Sequence, residues 1–222
     1  MITRRQKAGL IKNPFSRVFL LAAAAALACG CGGFKNPPKQ VHSYILSYQS
    51  GQNAADDFPA ISVLGIKPFK TASLYRTEKM VYSDNPYTRS TYVYHRWAYN
   101  PAEMVENLLT RDLRKAKAAG AVVSMPDPRA THVLEATINE FYEDDSGDQW
   151  KAVLEITVAL YGSKAGQQEA SGDIVMSRTY RCEKTMEKNN PLALARAMSA
   201  ALREVSASMI KDLSKKTGTK SS

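Results

Sequence analysis

Three cysteines, three scattered histidines and no long hydrophobic run set the first limits on this chain of 222 residues. Its longest apolar stretch, Val18 to Ala28 (VFLLAAAAALA), is too short to cross a bilayer as a helix, which needs roughly 20 apolar residues. No cysteine–histidine group has the spacing of a zinc site. GxSxG, GxGxxG, P-loop, HExxH and CxxC motifs are all missing. Asp144, Asp145 and Asp148 lack the spacing and the distal Glu of an EF-hand, so they read as a solvated hairpin tip. His42, His95 and His132 read as surface or hydrogen-bonded side chains. The residues therefore offer no catalytic constellation, no metal ligands and no cofactor, and they point away from an enzyme.

Acidic residues are also missing from the first 28 positions, which hold Arg4, Arg5, Lys7, Lys12 and Arg17. The formal charge of +9 owes much to this segment. Without its five cations, 25 basic residues face 21 acidic ones, a net of +4. That balance gives little support to nucleic-acid binding.

A basic start, a short apolar core and small residues before a cysteine are the parts of a secretory leader. ALAC ends at Cys29 and ACGC ends at Cys31. Both resemble the lipobox of bacterial lipoproteins, where a thiol nucleophile takes up a diacylglyceryl group and the peptidase needs small side chains just before it. Cys29 is preferred as the first thiol after the apolar run, with Cys31 as the alternative. An ordinary cleaved signal peptide with incidental cysteines is the competing reading. Residues 1–28 are thus read as a lipoprotein signal peptide and 29–42 as a lipidated tether, stiffened by Pro37 and Pro38. With no Asp after either cysteine, the resemblance to Gram-negative lipoproteins favours the periplasmic face of the outer membrane, with palmitate among the acyl chains. Cys182 reads as a buried free thiol, or as a partner for Cys31 if Cys29 is the anchor.

Residues 43–215 read as one α+β domain, followed by a disordered tail at 216–222. Strands are expected at Tyr44–Tyr48, Ile61–Phe69, Met80–Ser83, Ser90–Tyr94 and Ala121–Ser124. Three longer alternating strands, at 132–142, 150–160 and 174–182, are expected to form an antiparallel C-terminal meander. Two long helices are expected on one side of a mostly antiparallel sheet. The first starts at the N-cap Asn100, has Pro101 at its first position and Glu103 at N3, and stops at Gly120. Its apolar face carries Met104, Val105, Leu108, Leu109, Leu113 and Ala116. The second starts at Pro191 behind Asn190, with Met198, Leu202, Val205, Met209 and Leu213 on its stripe.

Eleven tyrosines against six phenylalanines is an interface-like balance. The run Tyr92, Tyr94, Trp97, Tyr99 reads equally as an exposed platform for a partner and as alternate-face core packing. Arg96, Trp97 and Tyr99 are the candidate partner-binding residues. The local alternative makes Trp97 a core plug and Arg96 the ion-pair partner of Glu103 or Asp112.

Taken together, the lipobox, YILSY after the tether, ISVLGIKPF, and an R-W-A, P, Leu-rich-helix pattern at Arg96, Trp97, Ala98 and Pro101 resemble the ABC-type transport auxiliary lipoproteins. The resemblance covers nearly all of the chain after the leader. It implies a non-catalytic outer-membrane subunit of a transport system built on mammalian-cell-entry (MCE) proteins, which moves lipids between two membranes. The implied partners are an MCE-domain protein and the ABC permease/ATPase, with a homo-oligomer left open. A structural lipoprotein serving outer-membrane assembly or binding cell wall is the competing function.

Overall fold

Asn100 and Asn190 start the two helices in the same way. The Asn100 side chain accepts the N–H of Ala102 at 2.9 Å, and that of Asn190 accepts the N–H of Ala193 at 2.9 Å. Each cap satisfies an amide that has no partner inside the helix. α1 spans Pro101–Lys115 and α2 spans Pro191–Gly218. These facts come from a computed structural model that describes residues 39–51, 61–162 and 172–218. The leader, Cys29, Cys31, most of the tether, the polar segment after Gly51, most of the turn expected at Ser163–Gly172 and the extreme tail lie outside the described residues. The chain divides after Lys39, and its second unit, Gln40–Ser222, contains every element below.

α1 ends earlier than the Gly120 stop expected from the sequence. Ala116 is its C-cap, and Lys117 takes the left-handed conformation at φ 52°. Ala118 N–H reaches Leu113 O at 3.0 Å and Lys117 N–H reaches Arg114 O at 3.1 Å, which is a Schellman closure. Gly120 has a different job. A Cβ there would lie 2.7 Å from the Ser62 carbonyl, so only glycine lets the two backbones approach.

The strands are β1 (His42–Tyr44), β2 (Val63–Ile66), β3 (Lys70–Thr71), β4 (Lys79–Ser83), β5 (Ser90–Trp97), β6 (Ala121–Ser124), β7 (His132–Asp144), β8 (Lys151–Gly162) and β9 (Ile174–Thr185). One turn of 3-10 helix fills Ser73–Tyr75. The run expected as one strand over Ile61–Phe69 is split at Pro68, which has no N–H to give a ladder. The strand expected at Tyr44–Tyr48 lies at His42–Tyr44 instead. After Tyr44 the chain leaves the sheet edge. Ser47 N–H binds Ser199 Oγ at 3.0 Å, and Tyr48 reaches α1.

The sheet is mixed, and the expectation of a mostly antiparallel sheet fails. Among the described residues, five pairings are parallel (β1–β5, β2–β6, β2–β7, β3–β7, β4–β7) and three are antiparallel (β4–β5, β7–β8, β8–β9). The reason lies in β7. Residues 63–83 run along one of its edges in the same direction and bind it three times. Leu64 pairs His132, Lys70 pairs Thr137, and Tyr82 pairs Glu143. Alternation in a sequence reports which face a residue takes, not which way its neighbour runs. The other edge of β7 takes β8, and β9 follows β8, both antiparallel.

One face of β7 and β8 presents Leu134, Ala136, Ile138, Phe141, Leu154, Ile156 and Val158, all buried. α1 and α2 join the same core through Val105, Leu109, Leu113, Met198, Leu202 and Met209. Each such side chain contributes about 1.5–3 kcal/mol on burial. The opposite face buries Val133, Tyr142 and Val153 toward its ends and is polar between them. There Thr157 bonds Thr179 at 2.9 Å, Lys67 pairs Glu135, and Arg181 pairs Glu140, Glu155 and Glu183.

Candidate docking surface

The edge strand β1 and its neighbour β5 hold the residues singled out from sequence. β5 is irregular. Lys79 stands opposite Arg96 and Val81 opposite Thr91, so four residues of β5 face Met80 alone. This bulge lets Tyr92 and Trp97 both reach the inner face. Tyr92 donates to Glu143 Oε2 at 2.8 Å, and the Trp97 indole meets Phe141 edge-on, centroids 5.2 Å apart. Burial pushes the Glu143 carboxyl above its usual range, and the Tyr92 bond opposes that only in part.

Trp97 is 1 % exposed, so it is a core plug and not a contact residue. Arg96 and Tyr99 are both exposed, Tyr99 at 55 %. Asp112, one of the two acids offered as a partner for Arg96, is occupied by Arg111. The three candidates therefore divide into one support beneath the edge and two side chains in solvent.

β1 and β5 are parallel, with His42 beside His95, Ser43 beside Arg96 and Tyr44 beside Trp97. Neighbours in a parallel pair share a face. On the inner side the His42 and His95 rings stack at 5.4 Å, and Tyr44 Oη lies 3.0 Å from His95 Nδ1. The outer side takes the alternate residues. One step back along the register sets Val41 beside Tyr94, and one step on sets Ile45 beside Ala98. Val41 is 43 % exposed, Ile45 58 % and Tyr94 38 %. With Arg96 they make a small apolar and aromatic surface with one guanidinium in it.

A second feature was missed from sequence. Asp112, on α1, is buried beneath α2. Its Oδ2 accepts the hydroxyls of Tyr48 and Ser206, both at 2.7 Å, and its Oδ1 takes Arg111 Nε and Nη2 at 2.9 and 2.8 Å. Burial alone would raise this carboxyl, but the Ser206, Tyr48 and Arg111 bonds outweigh it and hold it below the usual carboxylate range. The signal was present: Asp112 falls at four-residue spacing between Leu108 and Ala116, a charge inside an apolar stripe. An open cleft of about 640 Å³ lies above this carboxylate, lined by Ser50, Ala116, Arg203, Ala207, Ile210 and Lys211 among others. Asp112 is fully engaged in holding Tyr48, α1 and α2 together, so its role is structural.

Cys182 is buried and carries a free thiol. Among the described residues, no group of three or more His, Cys, Asp or Glu could hold a metal ion. No described helix is long and apolar enough to cross a membrane.

Comparison with known proteins accounts for this architecture. A protein of Xanthomonas campestris is similar in fold, with a TM-score of 0.69 at 19% identity, covering 79% of this chain and 96% of its own. An uncharacterized protein aligns with a TM-score of 0.61 at 15% identity, covering 79% of this chain and 99% of its own. At these identities the likeness is one of fold alone. Among curated proteins none matches the chain. The family model of the ABC-type transport auxiliary lipoprotein component matches residues 44–210, a span that begins in β1 and ends within α2. The chain belongs to the ABC-type transport auxiliary lipoprotein component family.

Proposed function

We propose that this protein is a non-catalytic outer-membrane subunit of an MCE-type ABC system that moves lipids between two membranes. The family match over residues 44–210 carries the reading. In it, Cys29, or Cys31, bears the lipid that holds the domain on the periplasmic face of the outer membrane. One acyl chain binds a bilayer only marginally, while several anchor it stably. The domain acts by contact, as a fixed station for the MCE protein and the ABC permease/ATPase. Binding of this kind needs a firm surface and no convergent reactive groups. Arg96 and Tyr99 belong to a separate docking face at the sheet edge, and Trp97 and Phe141 brace that edge from beneath.

In-cell crosslinking of the tagged, lipidated chain, followed by mass spectrometry, tests the reading. Recovery of an MCE-domain protein or an ABC permease is expected. Recovery of only peptidoglycan or β-barrel assembly machinery would overturn it in favour of a structural lipoprotein. Metabolic labelling with a palmitate analogue tests the anchor: Cys29→Ser is expected to abolish the label and Cys31→Ser to keep it.

A further inference from the structure

We infer that the outer face of β1 and β5 rests on the lipid headgroups of the membrane that anchors the chain. Val41, Ile45 and Tyr94 would contact the headgroup layer, with Arg96 and Lys79 against anionic lipids. The inference rests on the lipid-anchored reading above and names the partner of that same docking face.

The first support is the distribution of apolar surface. Across the middle of β7, β8 and β9 the exposed part of the outer face is an ion-pair and hydroxyl ladder built from Glu135, Glu140, Glu155, Thr157, Thr179 and Arg181. At β1 and β5 the character changes. The outer positions there are Val41, Ser43, Ile45, Tyr94 and Arg96, with Lys79 paired beside Arg96, and none is acidic. Tyrosines flanked by aliphatics and cations suit the boundary between water and acyl chains, where an amphipathic ring keeps its hydroxyl wet. Affinity for such a boundary grows with buried apolar area and with attraction to anionic lipid.

The second support is position in the chain. Ten residues separate Cys31 from Val41, and twelve separate Cys29 from it. A fully extended chain spans about 3.3–3.6 Å per residue, so Val41 stays within roughly 43 Å of the anchored thiol. Val41 and Ile45 flank β1, which lies at the margin of the sheet. The first apolar side chains the domain offers are thus the ones its tether keeps nearest the bilayer. A short flexible linker raises effective concentration to about the millimolar range, so a weak contact made by a few side chains would be populated once the chain is anchored.

The test uses vesicles of phosphatidylethanolamine and phosphatidylglycerol containing brominated lipid, which quenches tryptophan on contact. Ile45→Trp places a reporter on the surface, and Leu192→Trp places a control at the exposed start of α2. Each is measured against the parent chain in two forms. One is the acylated chain; in the other a hexahistidine segment replaces residues 1–31 and binds nickel-chelating lipid. Emission added at position 45 is expected to be quenched at least twofold more than that added at 192, in both forms. Equal quenching, or none at 45 on vesicle-bound chain, would overturn the inference and return the surface to a protein partner. If the acylated chain fails to float while the histidine-anchored chain is quenched at 45, the lipidation reading falls and the membrane-facing surface stands.

Discussion

Replacing Trp97 by alanine separates support from contact at the β5 edge. The indole is almost wholly enclosed and meets Phe141 edge-on at 5.2 Å. Truncating a buried Trp or Phe to Ala costs about 3–5 kcal/mol, the lost transfer energy plus the cavity left behind. For a domain of this size each kcal/mol lowers Tm by roughly 2–4 °C, so the loss corresponds to about 6–20 °C. Tyr99→Ala and Arg96→Ala remove exposed groups and should stay within about 0.5 kcal/mol of the parent. Urea unfolding followed by far-UV circular dichroism gives all three values without relying on Trp97 as the reporter. The midpoint of Trp97→Ala should fall at an unchanged slope, since the area exposed on unfolding is nearly the same. A Trp97→Ala variant within 1 kcal/mol of the parent would show that the indole is not packed as described. Tyr99→Ala destabilised as strongly as Trp97→Ala would refute the division between the two.

Two further outcomes follow from the buried groups. Asp112→Ala leaves the half-exposed Arg111 guanidinium to water and the Tyr48 and Ser206 hydroxyls without their acceptor, and each buried polar group left unsatisfied costs about 1–3 kcal/mol. Because the Asp112 carboxyl lies below its ordinary value, it stabilises the fold above an unfolded pKa of roughly 3.9 and loses that contribution as pH falls through the folded value. Acid titration of the parent should therefore show a loss of stability below about pH 4 that Asp112→Asn diminishes. Cys182 offers a kinetic check. Burial first, then the nearby Glu204, pushes its thiol up to about 11, so alkylation by iodoacetamide at pH 8 should be far slower than for an exposed cysteine and should become fast in urea.

The helices were legible because their signals are local. Asn100, Pro101 and the 3.6-residue stripe fix α1, and Asn190 and Pro191 fix α2. The end of α1 was not, because Lys117 takes a left-handed cap that glycine usually fills, while Gly120 serves a close approach to Ser62, which only the assembled fold reveals. Strand positions were legible from alternation, but pairing directions were not. Nothing local in VLGI or KT says that each runs parallel to β7. At the β5 edge, Arg96, Trp97 and Tyr99 were found as a group, but their separation into one brace and two exposed side chains depends on the β5 bulge. The network around Asp112 joins residues 48, 112 and 206, and of these only the lone acid in the α1 stripe was visible beforehand.

The single edge of β7 shared by β2, β3 and β4 has a kinetic consequence. Their pairing partners lie some sixty residues further along the chain, and contacts of such separation form late, because loop closure must be achieved before they yield any stability. Ribosomal synthesis delivers residues 63–83 well before the template they need. A nascent chain ending near Gly120 would hold β2 and β3 with no strand to lie on, and β4 with β5 alone. The sheet therefore closes along this edge only when residues 132–144 arrive. In the lipoprotein reading proposed above, in which the chain is exported as an unfolded thread, this order keeps most of the leading half threadable until the trailing half has followed it.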